Sequence, residues 1–304
     1  MTVVAAVNAQ TLVDAVGLGA VYALMAVGIG LVFGVLRLVN FAYGQLVMAG
    51  AYTLAWTSAW PGSVSIAACF AVVLALSIVL DRAVFRPLRT QSPAVMLVTT
   101  FAVAFLLQSI ALILDIRDGT IGEPAAPFSS LNQAVSIGGV DVRRVTLAAI
   151  AAAAVALGLL ALLLARTTIG LHMRAAAADF ATARLLGVRA DRVIGLAVIL
   201  SGLLAAIVAV ILTVQTPLVA PDFALKETIV VLVGVVVGGL DRLWTATLGG
   251  FAIGFATGVI NGALPTDKTV FLPSAVFALV ILVLLLRPGG LFAPGGRATA
   301  VERV

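Results

Sequence analysis

Charge is too sparse in this chain for a protein that folds in water. Asp, Glu, Lys and Arg supply 10% of the 304 residues, where a soluble domain carries about 25%. Cysteine is nearly absent too. Cys69 stands alone in an apolar run, which excludes a disulfide framework and a thiolate metal site. His172 is the only histidine, and no metal site is expected. Aromatic residues amount to 7% and do not interleave with a basic patch, so the net charge of +5 does not point to nucleic acid as a partner. Residues 1–11 hold no Lys or Arg, so the basic start of a secretory signal is missing and the first apolar run is expected to remain as a helix.

Catalytic signatures are missing as well. There is no GxxxxGK[ST] loop, so the chain is not expected to hydrolyse ATP itself or to need a cofactor of its own. Neither HExxH, GxSxG nor a carboxylate pair occurs within an apolar segment, which leaves no catalytic residues to nominate.

Long apolar runs are abundant. Hydrophobic residues reach 62% and mean hydropathy is +1.22, the composition of a polytopic membrane protein. At about 20 residues per crossing, the apolar segments are 12–34, 38–58, 64–80, 94–114, 145–165, 193–213, 228–240, 247–263 and 274–286. All eleven prolines fall outside them, as helix breakers should. The expected fold is an all-α polytopic integral membrane protein, one transmembrane domain over 1–304, with eight or nine transmembrane helices. One of these, 228–240, is short or broken: thirteen residues rise only about 20 Å, against a hydrocarbon core of about 30 Å.

Basic residues set the orientation. If the Arg82–Arg89 loop faces the cytoplasm, thirteen of the eighteen Lys and Arg lie inside, leaving Arg117, Arg143, Arg144, Lys226 and Lys268 outside. The N-terminus is then outside and the C-terminus cytoplasmic. Residues 115–144 form the longest extracytoplasmic loop, and NQAVSIGGVDVRRV within it alternates like a small hairpin. Residues 166–192 form a cytoplasmic loop with five arginines, Asp179 and Asp191. Within it, 171–186 is alanine-rich and free of Gly and Pro, and Gly187 follows as a helix stop. One surface helix is expected there, able to lay its apolar residues into a partner's groove.

Two further patterns stand out. Gly250, Gly254, Gly258 and Gly262 recur every four residues, a bare helix face for close helix packing; Gly30 with Gly34, and Gly234 with Gly238, repeat the device. Asn40, Tyr43 and Gln45 put three polar groups at the head of the second segment, where they serve either interhelical hydrogen bonds or the path of a polar solute. Apart from Asp14, no span carries an ionisable side chain. That weakens an ion-driven carrier and favours a permease energised by another protein through its cytoplasmic loop. A secondary transporter or facilitator for small neutral solutes, amides and urea included, stays open.

Three blocks resemble the permeases of branched-chain amino-acid ABC transporters, specifically the H-subunit-like member. They are GAVYALMAVGIGLVFGVLRLVNFAYGQLVMAGAY (19–52), TTIGLHMRAAAADFATARLLGVRADRVIGLAVILSGLLAAIVAV (167–210) and RPGGLF (287–292). The resemblance implies import of branched-chain or related hydrophobic amino acids across a bacterial inner membrane. It implies a second homologous permease subunit, two ATP-binding subunits that consume the ATP, and an extracytoplasmic solute-binding protein. It makes 170–187 a coupling helix, with Gly170, Arg174, Asp179, Leu186 and Gly187 as its candidate contacts. Two departures touch substrate identity: Tyr43 and Gln45 stand where the family often has His and an acid, and Asp241-Arg242 stand where it often has Gly-Ser.

Overall fold

The computed structural model describes residues 9–36, 40–88, 91–118, 122–124, 132–137, 140–216, 218–239 and 242–287. The chain opens with α1 (Ala9–Leu36), α2 (Tyr43–Trp56) and α3 (Gly62–Leu80), which runs through a π turn (Asp81–Phe85) into the single turn α4 (Arg86–Leu88). Then come α5 (Pro93–Asp118), β1 (Glu123–Pro124), β2 (Ala134–Ile137), β3 (Val140–Arg143), α6 (Arg144–Arg166), α7 (Thr168–Ala178) and α8 (Phe180–Leu185). The remainder is α9 (Ala190–Gln215), β4 (Leu218–Val219), α10 (Leu225–Gly238), α11 (Leu243–Ala263), a 3₁₀ turn (Thr266–Phe271) and α12 (Leu272–Leu286).

A helix forms within each of the nine apolar segments, and the protein is an all-α polytopic membrane protein. Among the described residues, seven helices are long and apolar enough to cross a bilayer. The other two, α2 and α10, have 14 residues each, about 21 Å, and stop well short of it. The short α10 matches the sequence expectation, although it starts three residues early. The short α2 does not: the segment 38–58 was expected to cross whole. Asn40 is the reason, because its Oδ1 accepts from the Ala42 N–H at 3.0 Å and holds the chain in a turn just before the helix.

The centre of the bundle is α1, apolar on every face, with Ala15, Val21, Leu24 and Met25 fully buried. Against it lies the glycine face of α11. A Cβ at Gly254 would sit 2.8 Å from the Gly19 Cα, and one at Gly258 would run into Ala15. Gly250 meets Tyr22 and Ala26 in the same way, and Gly262 meets Thr11. The pairs Gly234 and Gly238 likewise touch Gly249 backbone to backbone. Gly34 differs from the packing expectation, since nothing lies within 4 Å of where its Cβ would be.

On the other side of α1, α9 threads between α1, α2 and α3, and the Ser201 hydroxyl donates to the Gly28 carbonyl at 2.7 Å. Outward faces of α5, α6 and α12 are apolar and exposed, as at Phe105, Leu159 and Ile281. At one end of the bundle the expected hairpin forms, β2 antiparallel to β3 with Ala134 opposite Arg143. Beside it β1 pairs antiparallel with β4. The opposite end carries α7, α8 and the π turn.

Candidate functional site

The first turns of α2 and α10 meet inside the protein. A Cβ at Gly44 would lie 2.5 Å from the Thr228 Oγ1 and 3.1 Å from the Ala224 carbonyl, so only glycine allows this approach. From that junction the two helices diverge. Helix α2 rises to the hairpin end, where the Tyr52 hydroxyl donates to Asp115 at 2.8 Å. Helix α10 descends the other way, to Gly238 against Thr245 and Gly249. Asn40, Ala42, Tyr43, Ala224 and Thr228 are all buried at the junction. Neither helix has a side-chain bond from its N-cap residue, but Asn40 Oδ1 accepts the Ala42 N–H ahead of α2 and Glu227 places a carboxylate in the first turn of α10.

Polar atoms gather there without partners. The Tyr43 hydroxyl, the Gln45 Oε1 and one oxygen of Glu227 are buried and make no hydrogen bond. Tyr43 is wedged against α1, where only the missing side chain of Gly28 leaves room for its ring. Unpaired polar groups in a bilayer interior cost several kcal/mol each by rough transfer estimates. Of the three residues nominated from sequence, Tyr43 and Gln45 carry such atoms, while Asn40 uses its side chain to shape the turn.

Sequence reasoning missed Glu227 and Asp115, which it left just outside the spans. The structure takes both into helices and buries Asp115 almost completely, with Glu227 half-buried. Adjacency to a long apolar run was the available signal. Among the described residues no group of three metal-ligating side chains is placed to hold an ion.

At the opposite end, the single expected helix over 171–186 is two. Thr167 caps α7 by accepting from the Gly170 N–H at 3.1 Å. Gly170 then passes so close to the Leu163 and Leu164 backbone that a side chain would collide. Asp179 breaks the run with extended backbone (φ −152°, ψ 105°) and caps α8, its carboxylate accepting from the Thr182 N–H at 3.1 Å. An Asp prefers that capping role to a helix interior, which is why the alanine run does not carry the helix through it. Helix α8 closes with Gly187 at φ +90° and a bond from the Val188 N–H to the Ala183 carbonyl. The closure leaves Leu185 88% and Leu186 81% exposed, side by side. Arg174 points elsewhere: it lines a cavity beneath α7 together with Arg242. Arg37, Arg89, Leu240, Asp241 and the end of the RPGGLF block lie outside the described residues, and so do the side chains of Arg184 and Asp191.

Comparison with known proteins agrees along nearly the whole chain. The model of the family described as the branched-chain amino acid transport system permease component matches residues 11–286. The high-affinity branched-chain amino acid transport system permease protein BraD of Pseudomonas aeruginosa is 28% identical over 294 residues, covering 93% of this chain and 94% of its own. The corresponding LivH proteins of Escherichia coli K12 and Salmonella typhimurium are 29% and 28% identical with the same coverage. No solved structure matches the chain. With the family's pattern running through every spanning helix described above, the chain belongs to the permease components of branched-chain amino acid transport systems.

Proposed function

We propose that this chain is the membrane-spanning permease subunit of an ABC importer for branched-chain or related hydrophobic amino acids, driven by ATP-binding subunits that dock on α7 and α8. Leu185 and Leu186 are the observation that carries the docking half. Two large apolar side chains stand bare on a capped helix at the bundle's polar end, and a groove on a partner is what such a pair fits. The excess of basic residues supports a cytoplasmic position for this end in a bacterial inner membrane, with the hairpin end facing outward to a solute-binding protein. Transport as one of a homologous permease pair, with two ATP-binding subunits, follows from the family resemblance. The absence of a GxxxxGK[ST] loop from the sequence supports that division of labour.

The junction of α2 and α10 supports an amino acid as the cargo. Tyr43, Gln45 and Glu227 offer unpartnered oxygens to an ammonium group. The test is uptake by the reconstituted complex carrying Leu186→Asp with Gly187→Asp. ATP hydrolysis should continue while uptake of leucine collapses; undiminished uptake would remove α8 from the coupling route. Glu227 also favours a second reading, an ion-driven carrier, because it supplies the buried carboxylate that such a carrier needs. Uptake by this chain alone, driven by an ion gradient without ATP-binding subunits, would establish that reading instead.

A further inference from the structure

Beneath α7, the ends of α1, α6, α10 and α11 enclose a cavity of about 460 Å³, within the roughly 300–1,000 Å³ of small-molecule sites. Its walls are apolar, including Phe33, Leu164, Val235 and Leu243. At Gly34 the wall is hollow, because an added Cβ there would touch nothing within 4 Å. Two charged side chains line the cavity, Arg174 from α7 and Arg242 from the turn before α11. Both are exposed, and neither forms an ion pair with a described residue. Among the described residues no carboxylate lines the cavity. The contributing stretch of α1 lies within its last two turns, about 9 Å from the helix end.

We propose that this cavity holds one anionic phospholipid, its phosphate between Arg174 and Arg242 and part of an acyl chain against Phe33 and Leu243. A soluble anion would gain from the arginines but nothing from the apolar walls, and a neutral lipid would leave both cations unanswered. A neighbouring, shallower crevice of about 350 Å³ has Arg82, Arg86 and Arg192 but also Asp81, whose carboxylate repels a phosphate. The proposal rests on placing α7 at the cytoplasmic leaflet. It adds a regulation of the docking element: α7 supplies Met173, Arg174, Ala177 and Ala178 to the wall, so a bound lipid ties it to α1, α10 and α11.

The experiment uses the full chain in nanodiscs of phosphatidylcholine with added phosphatidylglycerol, reading retained lipid by native mass spectrometry. One phosphatidylglycerol should stay with the wild type. Arg174→Gln with Arg242→Gln should weaken retention about thirtyfold, from roughly fivefold per cation at an anionic surface. Gly34→Leu should expel the lipid with every charge kept, while Arg82→Gln should change nothing. Equal retention in the double variant, or an equal loss in Arg82→Gln, would overturn the site in favour of general surface attraction. Displacement by millimolar inorganic phosphate would overturn the lipid as its occupant. Retention is read without ATP-binding subunits, so a failure of the docking proposal leaves this measurement untouched.

Discussion

Gly44→Ala probes the meeting of the two short helices most directly. The new methyl would lie 2.5 Å from the Thr228 Oγ1, about 0.9 Å inside ordinary contact and on the steep repulsive side of the interaction. Thr228 cannot simply swing away. Its hydroxyl donates to the Ala224 carbonyl at 2.6 Å, and that carbonyl is itself 3.1 Å from the new methyl. Overpacking of this kind costs about 1–3 kcal/mol, and losing the hydroxyl's bond adds about 0.5–1.5. Replacing a helical glycine returns at most about 1 kcal/mol. A net destabilisation of about 1–2 kcal/mol is therefore expected, with uptake falling further because the junction is displaced. Thr228→Ala alone should be mild, and combined with Gly44→Ala it should restore most of the loss, a coupling of about 1–2 kcal/mol. Thermal unfolding in detergent and leucine uptake by the reconstituted complex measure the two effects. If the double variant is no better than Gly44→Ala, the helices do not touch as described.

Other outcomes are equally specific. Tyr52→Phe removes a buried hydrogen bond to Asp115 and should lower stability by about 1–3 kcal/mol in the same melting assay. Glu227→Gln keeps the volume but removes the charge, so it should raise the KM for a zwitterionic amino acid more than for its N-acetyl derivative, which has no ammonium group, in an uptake assay. Gly258→Leu drives a side chain into Ala15 and should prevent folding, seen as loss of the monodisperse peak in size-exclusion chromatography. Asn40→Ala should cost about 0.5–2 kcal/mol by taking away the acceptor that turns the chain into α2, and Asn40→Asp, which keeps an acceptor but buries a charge, should be no better tolerated.

The bundle was legible wherever hydropathy and length decide. Segments without charge became helices, and the thirteen residues of 228–240 were already too few to cross. The bare face at Gly250, Gly254, Gly258 and Gly262 had the spacing of a packing surface, and α1 lies on it. What stayed hidden depends on single hydrogen bonds that composition does not register. Leu38, Val39, Phe41 and Ala42 read as one more stretch of span, yet the bond from Ala42 to Asn40 starts α2 later. Asp179 sits in alanine-rich sequence whose propensity favours one helix, and its capping of α8 outweighs that weak preference. Glu227 was lost to a boundary drawn at Thr228, because a carboxylate reads as loop until tertiary structure encloses it. Leu185 and Leu186 were already legible as apolar residues on a cytoplasmic surface element; the structure adds how far they stand exposed.

The contact between Thr11 and Gly262 joins residues from opposite ends of the chain. Helix α1 leaves the ribosome before α11, and the glycine face that covers it is made some 250 residues later, about 13–50 s at ordinary synthesis rates. For that interval the most enclosed helix of the finished protein has lipid, or an insertion chaperone, in the place of α11. Its apolar composition on every side suits that wait. A truncated chain ending before residue 243 should therefore enter the membrane normally yet leave α1 uncovered, a ready target for quality-control proteolysis.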